Sequence, residues 1–198
     1  MNLSDLLNSP IGQSLVTNVA GQFGLDEKQA ASAVNLAVPV ILGGLNKNAQ
    51  SPEGAASLNN ALESKHDGSL LDNLGNVLGR GNITDLLQDG GGILGHVFGN
   101  DVPAVENGVA QKTGISADKI GPIIKMLAPV VMAYLAKEKN TNNVNAGGLG
   151  DLLGGMLGSG APKKRSGGGI FDMVSGFLDK DKDGSAIDDI FDSFLKNK

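Results

Sequence analysis

The chain has no cysteine, no tryptophan and a single tyrosine among its 198 residues. Without thiols, disulfides, thiolate catalysis and cysteine-ligated zinc are excluded. Aromatic residues make up 4% of the chain against 40% apolar, so the core must be filled by Leu, Ile, Val and Ala. That palette suits packed helices better than sheets, which usually carry more aromatics. Runs that alternate apolar and polar residues with β-branched enrichment are missing too, which argues against strands. A basic surplus is also lacking. The net charge of −5 provides no footprint for nucleic acid, and no nucleic-acid partner is expected.

The first residues, MNLSDLLNSPIGQSL, lack a basic segment and a continuous apolar stretch. They do not read as a secretory signal. A cytoplasmic location is expected, with export by a signal-less route as the alternative. The longest apolar-rich segments, 30–45 and 120–136, are interrupted by Asn35 and Lys125. They read as too short for a membrane span of about 20 residues.

Glycine is what the chain has in excess, at 30 residues, with no collagen period. The glycines cluster between apolar runs as helix stops and linkers. They also help to expose an internal duplication. Residues 19–45 lie over 109–135 without a gap, at an offset of 90. Gly24 falls on Gly114, Leu25 on Ile115 and Pro39 on Pro129. A second match sets 72–81 over 151–160, at an offset of 79.

Each copy reads as a helix ended by Gly24 or Gly114, then a new helix capped by Asp26 or Ser116. Asp26 and Gln29 have the spacing of a capping box. The helices that follow are apolar almost all round and are the predicted core. Pro39 and Pro129 either kink these helices or divide each into two. Ser9-Pro10 and Ser51-Pro52 predict two further helix starts, with Pro in the first position, running to Phe23 and Glu63. Shorter helices are predicted over 70–78, 83–87, 92–98, 102–113 and 149–157. Gly90–Gly92 reads as a loop at a helix start, because no strand precedes it and no Gly-Lys pair exists for a phosphate cradle. Asn-rich 140–148 and Gly-rich 158–169 read as linkers. The expected organisation is all-α: repeat units over 1–88 and 89–160, a linker over 161–169, and a helix–loop–helix over 170–198.

One segment carries specific chemistry. Asp179, Asp181 and Asp183 alternate, Gly184 follows, and apolar helical patterns flank both sides. Calcium takes six to eight hard oxygens, and carboxylates at loop positions one, three and five converge on one ion. Gly184 permits the turn, and the backbone carbonyl of Ser185 adds a ligand. Where a regular EF-hand has a bidentate Glu at position twelve, this loop has Ile190. Its acids come early, so Asp188 or Asp189 is the expected closing ligand. The other reading is a solvated acidic turn that caps the last helix. His66 and His96 have no partner at metal-ligand spacing and read as packed or surface histidines. Lys163-Lys164-Arg165 reads as a solubilising run. No Gly-x-Ser-x-Gly elbow or nucleophile–base spacing is present, so the chain is not expected to be an enzyme.

The stretch LAVPVILGGLNKNAQSPEGA at 36–55 and the stretch GGILGHVFGN at 91–100 resemble the bacterial DUF937 family, which is related to YidB-like proteins. The resemblance covers most of the chain and implies an irregular all-helical array, with no activity or site residues attached. The expected function is therefore non-enzymatic: a binding or self-assembling protein, homo-oligomeric or with a protein partner, with structural Ca2+ in the acidic loop. Peripheral membrane contact through 70–78 and 149–157 is the alternative.

Overall fold

The computed structural model describes residues 3–79 and 83–158. Among these the fold is all-α, with no strand. The helices are α1 (Leu3–Asn8), α2 (Pro10–Phe23), α3 (Glu27–Ala49), α4 (Pro52–Ser64), α5 (Ser69–Asp72), α6 (Leu74–Gly79), α7 (Thr84–Phe98), α8 (Val102–Thr113), α9 (Ala117–Thr141) and α10 (Leu149–Leu157).

The duplicated segment folds alike in its two copies. Gly24 and Gly114 both adopt the left-handed conformation, at φ 58° and 71°. The N–H of each donates to the carbonyl four residues back, on Ala20 and Ala110. A side chain in that conformation costs energy, and glycine avoids the cost. Asp26 and Ser116 then take the extended N-cap geometry. The two caps differ in chemistry. Asp26 Oδ1 accepts from the Gln29 backbone N–H at 2.8 Å and Gln29 Oε1 accepts from the Asp26 N–H at 3.3 Å, a complete capping box. Ser116 makes no side-chain cap bond, contrary to expectation. Lys119 joins the copies at this corner by donating from Nζ to the Gly24 carbonyl at 3.2 Å.

α3 and α9 run unbroken through Pro39 and Pro129, so the prolines do not split the core helices. At 23 and 25 residues, both are long and apolar enough to cross a membrane, which corrects the sequence-based length. Within this fold, 56% and 83% of their most apolar stretch is buried by the rest of the chain. Burial on this scale explains why neither helix shows a narrow apolar stripe.

α2 packs on α3, α8 packs on α9, and α3 packs directly on α9. The short helices then cross over. α10, from the second copy, packs on α3 of the first, while α5, from the first copy, packs on α9 of the second. One continuous apolar cluster results, running from Leu6 to Leu157 and drawing on both copies. The division at 88/89 falls inside α7.

Two Ser-Pro-x-Gly corners turn the chain sharply. Ser9 Oγ accepts from the Gly12 N–H and donates to the Leu6 carbonyl. Ser51 Oγ does the same between the Gly54 N–H and the Asn48 carbonyl. Each glycine sits where a Cβ would collide with the carbonyls ending the preceding helix. The corner therefore needs serine as the cap, proline at the first position and glycine at the point of contact.

Three other expectations give way to packing. Gly90–Gly92 lies inside α7, one helix from 84 to 98, where two segments were expected. Its buried positions Leu86, Gly90, Ile93, Leu94 and Phe98 form one helical face. Residues 70–78 form two short helices instead of one, parted at Asn73. The 140–148 segment is structured as well: Asn140 and Thr141 finish α9, and Ala146–Gly148 makes a turn of 3-10 helix.

Candidate functional site

The asparagines after α9 are there for turning. Val144 N–H donates to the Lys139 carbonyl at 2.9 Å and Asn143 N–H to the Asn140 carbonyl at 3.3 Å. These paired bonds form a Schellman motif. Asn143 fills its left-handed position at φ 51°, which asparagine tolerates better than other side-chain-bearing residues. Asn145 Oδ1 then accepts from the Gly148 N–H at 3.2 Å and caps the short 3-10 turn.

This double turn folds over the end of α4 and leaves an open notch of about 520 Å³, lined by Asn59, Glu63, Lys139, Asn140, Asn143, Val144, Asn145 and Ala146. A single ion pair sits in its wall, with Lys139 Nζ 2.8 Å from Glu63 Oε1. Lys139 has only 8% of its side chain exposed, whereas Glu63 has 58%. The ammonium hydrogen bond, followed by one from Asn59, holds the Glu63 carboxyl below its ordinary range. Asn59 Oδ1 is buried without a hydrogen-bond partner.

Other polar groups are spread through the body. The buried His66 has Nδ1 3.7 Å from Asp89 Oδ2. Burial lowers the imidazole pKa and Asp89 opposes the shift. His96 is exposed on α7, so the two histidines serve separate environments. Lys125 Nζ lies 3.5 Å from Glu106 Oε1, and the Glu106 carboxylate covers Gly121. The Tyr134 hydroxyl is buried with no partner. Burial first, then Glu138 and Asp5, pushes its pKa up to about 12.

The acidic-loop residues Asp179, Asp181, Asp183, Ser185, Asp188 and Asp189 lie outside the described residues, as does Lys163-Lys164-Arg165. Among the described residues, no group of three or more His, Asp or Glu side chains is placed to hold a metal ion. In the segments weighed for membrane contact, Leu71, Leu74 and Leu78, and likewise Leu149, Leu153 and Leu157, are buried in the common core. Their apolar faces are already occupied.

The notch was missed in the sequence because its walls come from distant segments. Its one local signal, the run of asparagines, has the composition of a linker.

Searches of curated proteins and of solved structures each return no match. A family model described as bacterial protein of unknown function matches residues 5–138. The match spans both copies of the duplicated segment, from α1 nearly to the end of α9, and the chain belongs to the bacterial DUF937 family.

Proposed function

We propose that this protein is a non-enzymatic binding or structural protein, in which a duplicated helical body carries a C-terminal calcium-binding loop. The observation that carries the reading is the spacing Asp179, Asp181, Asp183, Gly184, Ser185, with Asp188 and Asp189 following. Three carboxylates so close repel one another unless a cation neutralises them. A divalent ion takes oxygen ligands from loop positions one, three, five and seven, and one of the two later acids closes the shell. In this role calcium orders the loop and the apolar segments on either side of it, and takes no part in a reaction. Self-association is the accompanying function, supported by the small residues of the paired repeats, whose Gly and Ala faces let helices approach closely.

Calorimetric titration of calcium into the full chain tests the reading, with Asp181→Ala as control. Saturable heat and a rise in melting temperature are expected for the native chain, both lost in the variant. Absence of both effects at millimolar calcium rules out the metal. Light scattering with and without calcium tests self-association, which predicts a particle larger than a single chain.

A further inference from the structure

We propose that the notch between the end of α4 and the turn after α9 binds a neutral, hydroxyl-rich small molecule, a sugar or polyol. The inference is independent of the acidic loop and rests on the described residues alone.

Charge is the first constraint. Glu63 and Lys139 neutralise each other at 2.8 Å, and the other polar lining residues are amides. A charged ligand would find no net opposite charge to offset its desolvation. A neutral ligand pays no such penalty.

The hydrogen-bonding inventory is the second. Asn59 borders the pair, its side-chain amide hydrogen-bonding the Glu63 carboxylate, while its own Oδ1 is enclosed by the protein. The pair Lys139 and Glu63 presents a donor and an acceptor side by side. Asn145 has committed its carbonyl oxygen to Gly148, which leaves its amide hydrogens as donors. The lining therefore mixes donors and acceptors at short range. A hydroxyl both donates and accepts, and two adjacent hydroxyls match a side-chain amide, whose oxygen and nitrogen lie next to each other. A peptide main chain fits less well, since its N–H and C=O point to opposite sides.

Preorganisation is the third. The paired bonds of the Schellman motif hold Asn143, and a cap bond holds Asn145. Lys139 is nearly buried on α9. Little ordering entropy is left to spend on binding. No aromatic residue lines the notch to stack on a sugar ring, so the expected dissociation constant is on the order of millimolar.

Chemical-shift mapping of the full-length protein provides the test, with D-glucose and D-sorbitol as neutral probes and D-glucuronate and D-glucosamine as charged ones. Saturable shifts are expected at Asn59, Glu63 and residues 139–146 with at least one neutral probe, and weaker ones with both charged probes. Which neutral probe saturates tells a ring from an open chain. Glu63→Ala and Asn143→Gly should each weaken binding roughly fivefold, the loss of about one hydrogen bond. Asn143→Gly keeps the left-handed turn while deleting the amide, so it reports on binding even if the other variant misfolds. The proposal is overturned if no neutral probe gives saturable shifts, if the shifts fall elsewhere, if the charged probes bind as well, or if Asn143→Gly leaves affinity unchanged.

Discussion

At position 90 a hydrogen in place of a methyl group decides how two helices meet. Pro129 has no N–H, so the Lys125 carbonyl four residues earlier lacks its intrahelical donor. The backbone of α7 passes over this same carbonyl at Gly90, where a Cβ would collide with it. Gly91 and Gly92, in the same helix, have nothing within 4 Å of where a Cβ would stand. Gly90→Ala should therefore destabilise the fold by about 1–3 kcal/mol, an overpacking cost. Gly91→Ala should stabilise it by about 0.5–1 kcal/mol through helix propensity. Urea denaturation of the two variants reads both signs, and equal effects would remove the packing explanation. Tyr134 supplies a second prediction at this scale. Its pKa is raised from 10.0 to about 12 in the folded protein. Above pH 10 the unfolded chain loses a proton that the native state keeps, so stability falls as pH rises from 10 towards 12 and levels off beyond. As the only tyrosine, it can be followed without ambiguity by tyrosinate absorbance. The expected outcome is a titration midpoint well above that of the unfolded chain in urea.

At the scale of the element, much of the fold was legible where a local signal and its tertiary surroundings agree. Ser9-Pro10 and Ser51-Pro52 begin helices as read, Gly24 and Gly114 end α2 and α8, and 102–113 and 149–157 are helices with the expected bounds. Legibility failed where surroundings overrode a local signal. Three successive glycines disfavour a helix by roughly 1 kcal/mol each relative to alanine, yet α7 runs through them because its apolar face packs along α9. The asparagine run resembles a linker, but its amides serve as caps, a role that composition alone does not distinguish. The candidate notch was hidden for a related reason, since Asn59 and Glu63 meet Lys139 only after the chain has folded back. The two equivalent N-caps allow a prediction. Asp26→Ala should cost about 1 kcal/mol, because it removes the Oδ1 that accepts from the Gln29 N–H. Ser116→Ala should cost much less, because its hydroxyl makes no cap bond. Thermal melts of the two variants compare them directly, and equal losses would contradict the difference in cap chemistry.

At the scale of the molecule, the duplication is visible in the sequence, but the use made of it is not. The copies could have formed two separate bundles with a core each. Instead α3 packs on α9, α10 of the second copy covers α3, and α5 of the first covers α9. Neither long helix is buried by its own copy alone, and the shared apolar cluster draws on both. Helices this apolar would expose large surfaces if the copies parted, which makes separate folding unfavourable. Native-state hydrogen exchange on the full chain tests this shared core most directly. The slowest amides of α3 and α9 should exchange with one common opening free energy, equal to that of global unfolding. A separate, lower-energy opening of one long helix while the other stays protected would contradict it.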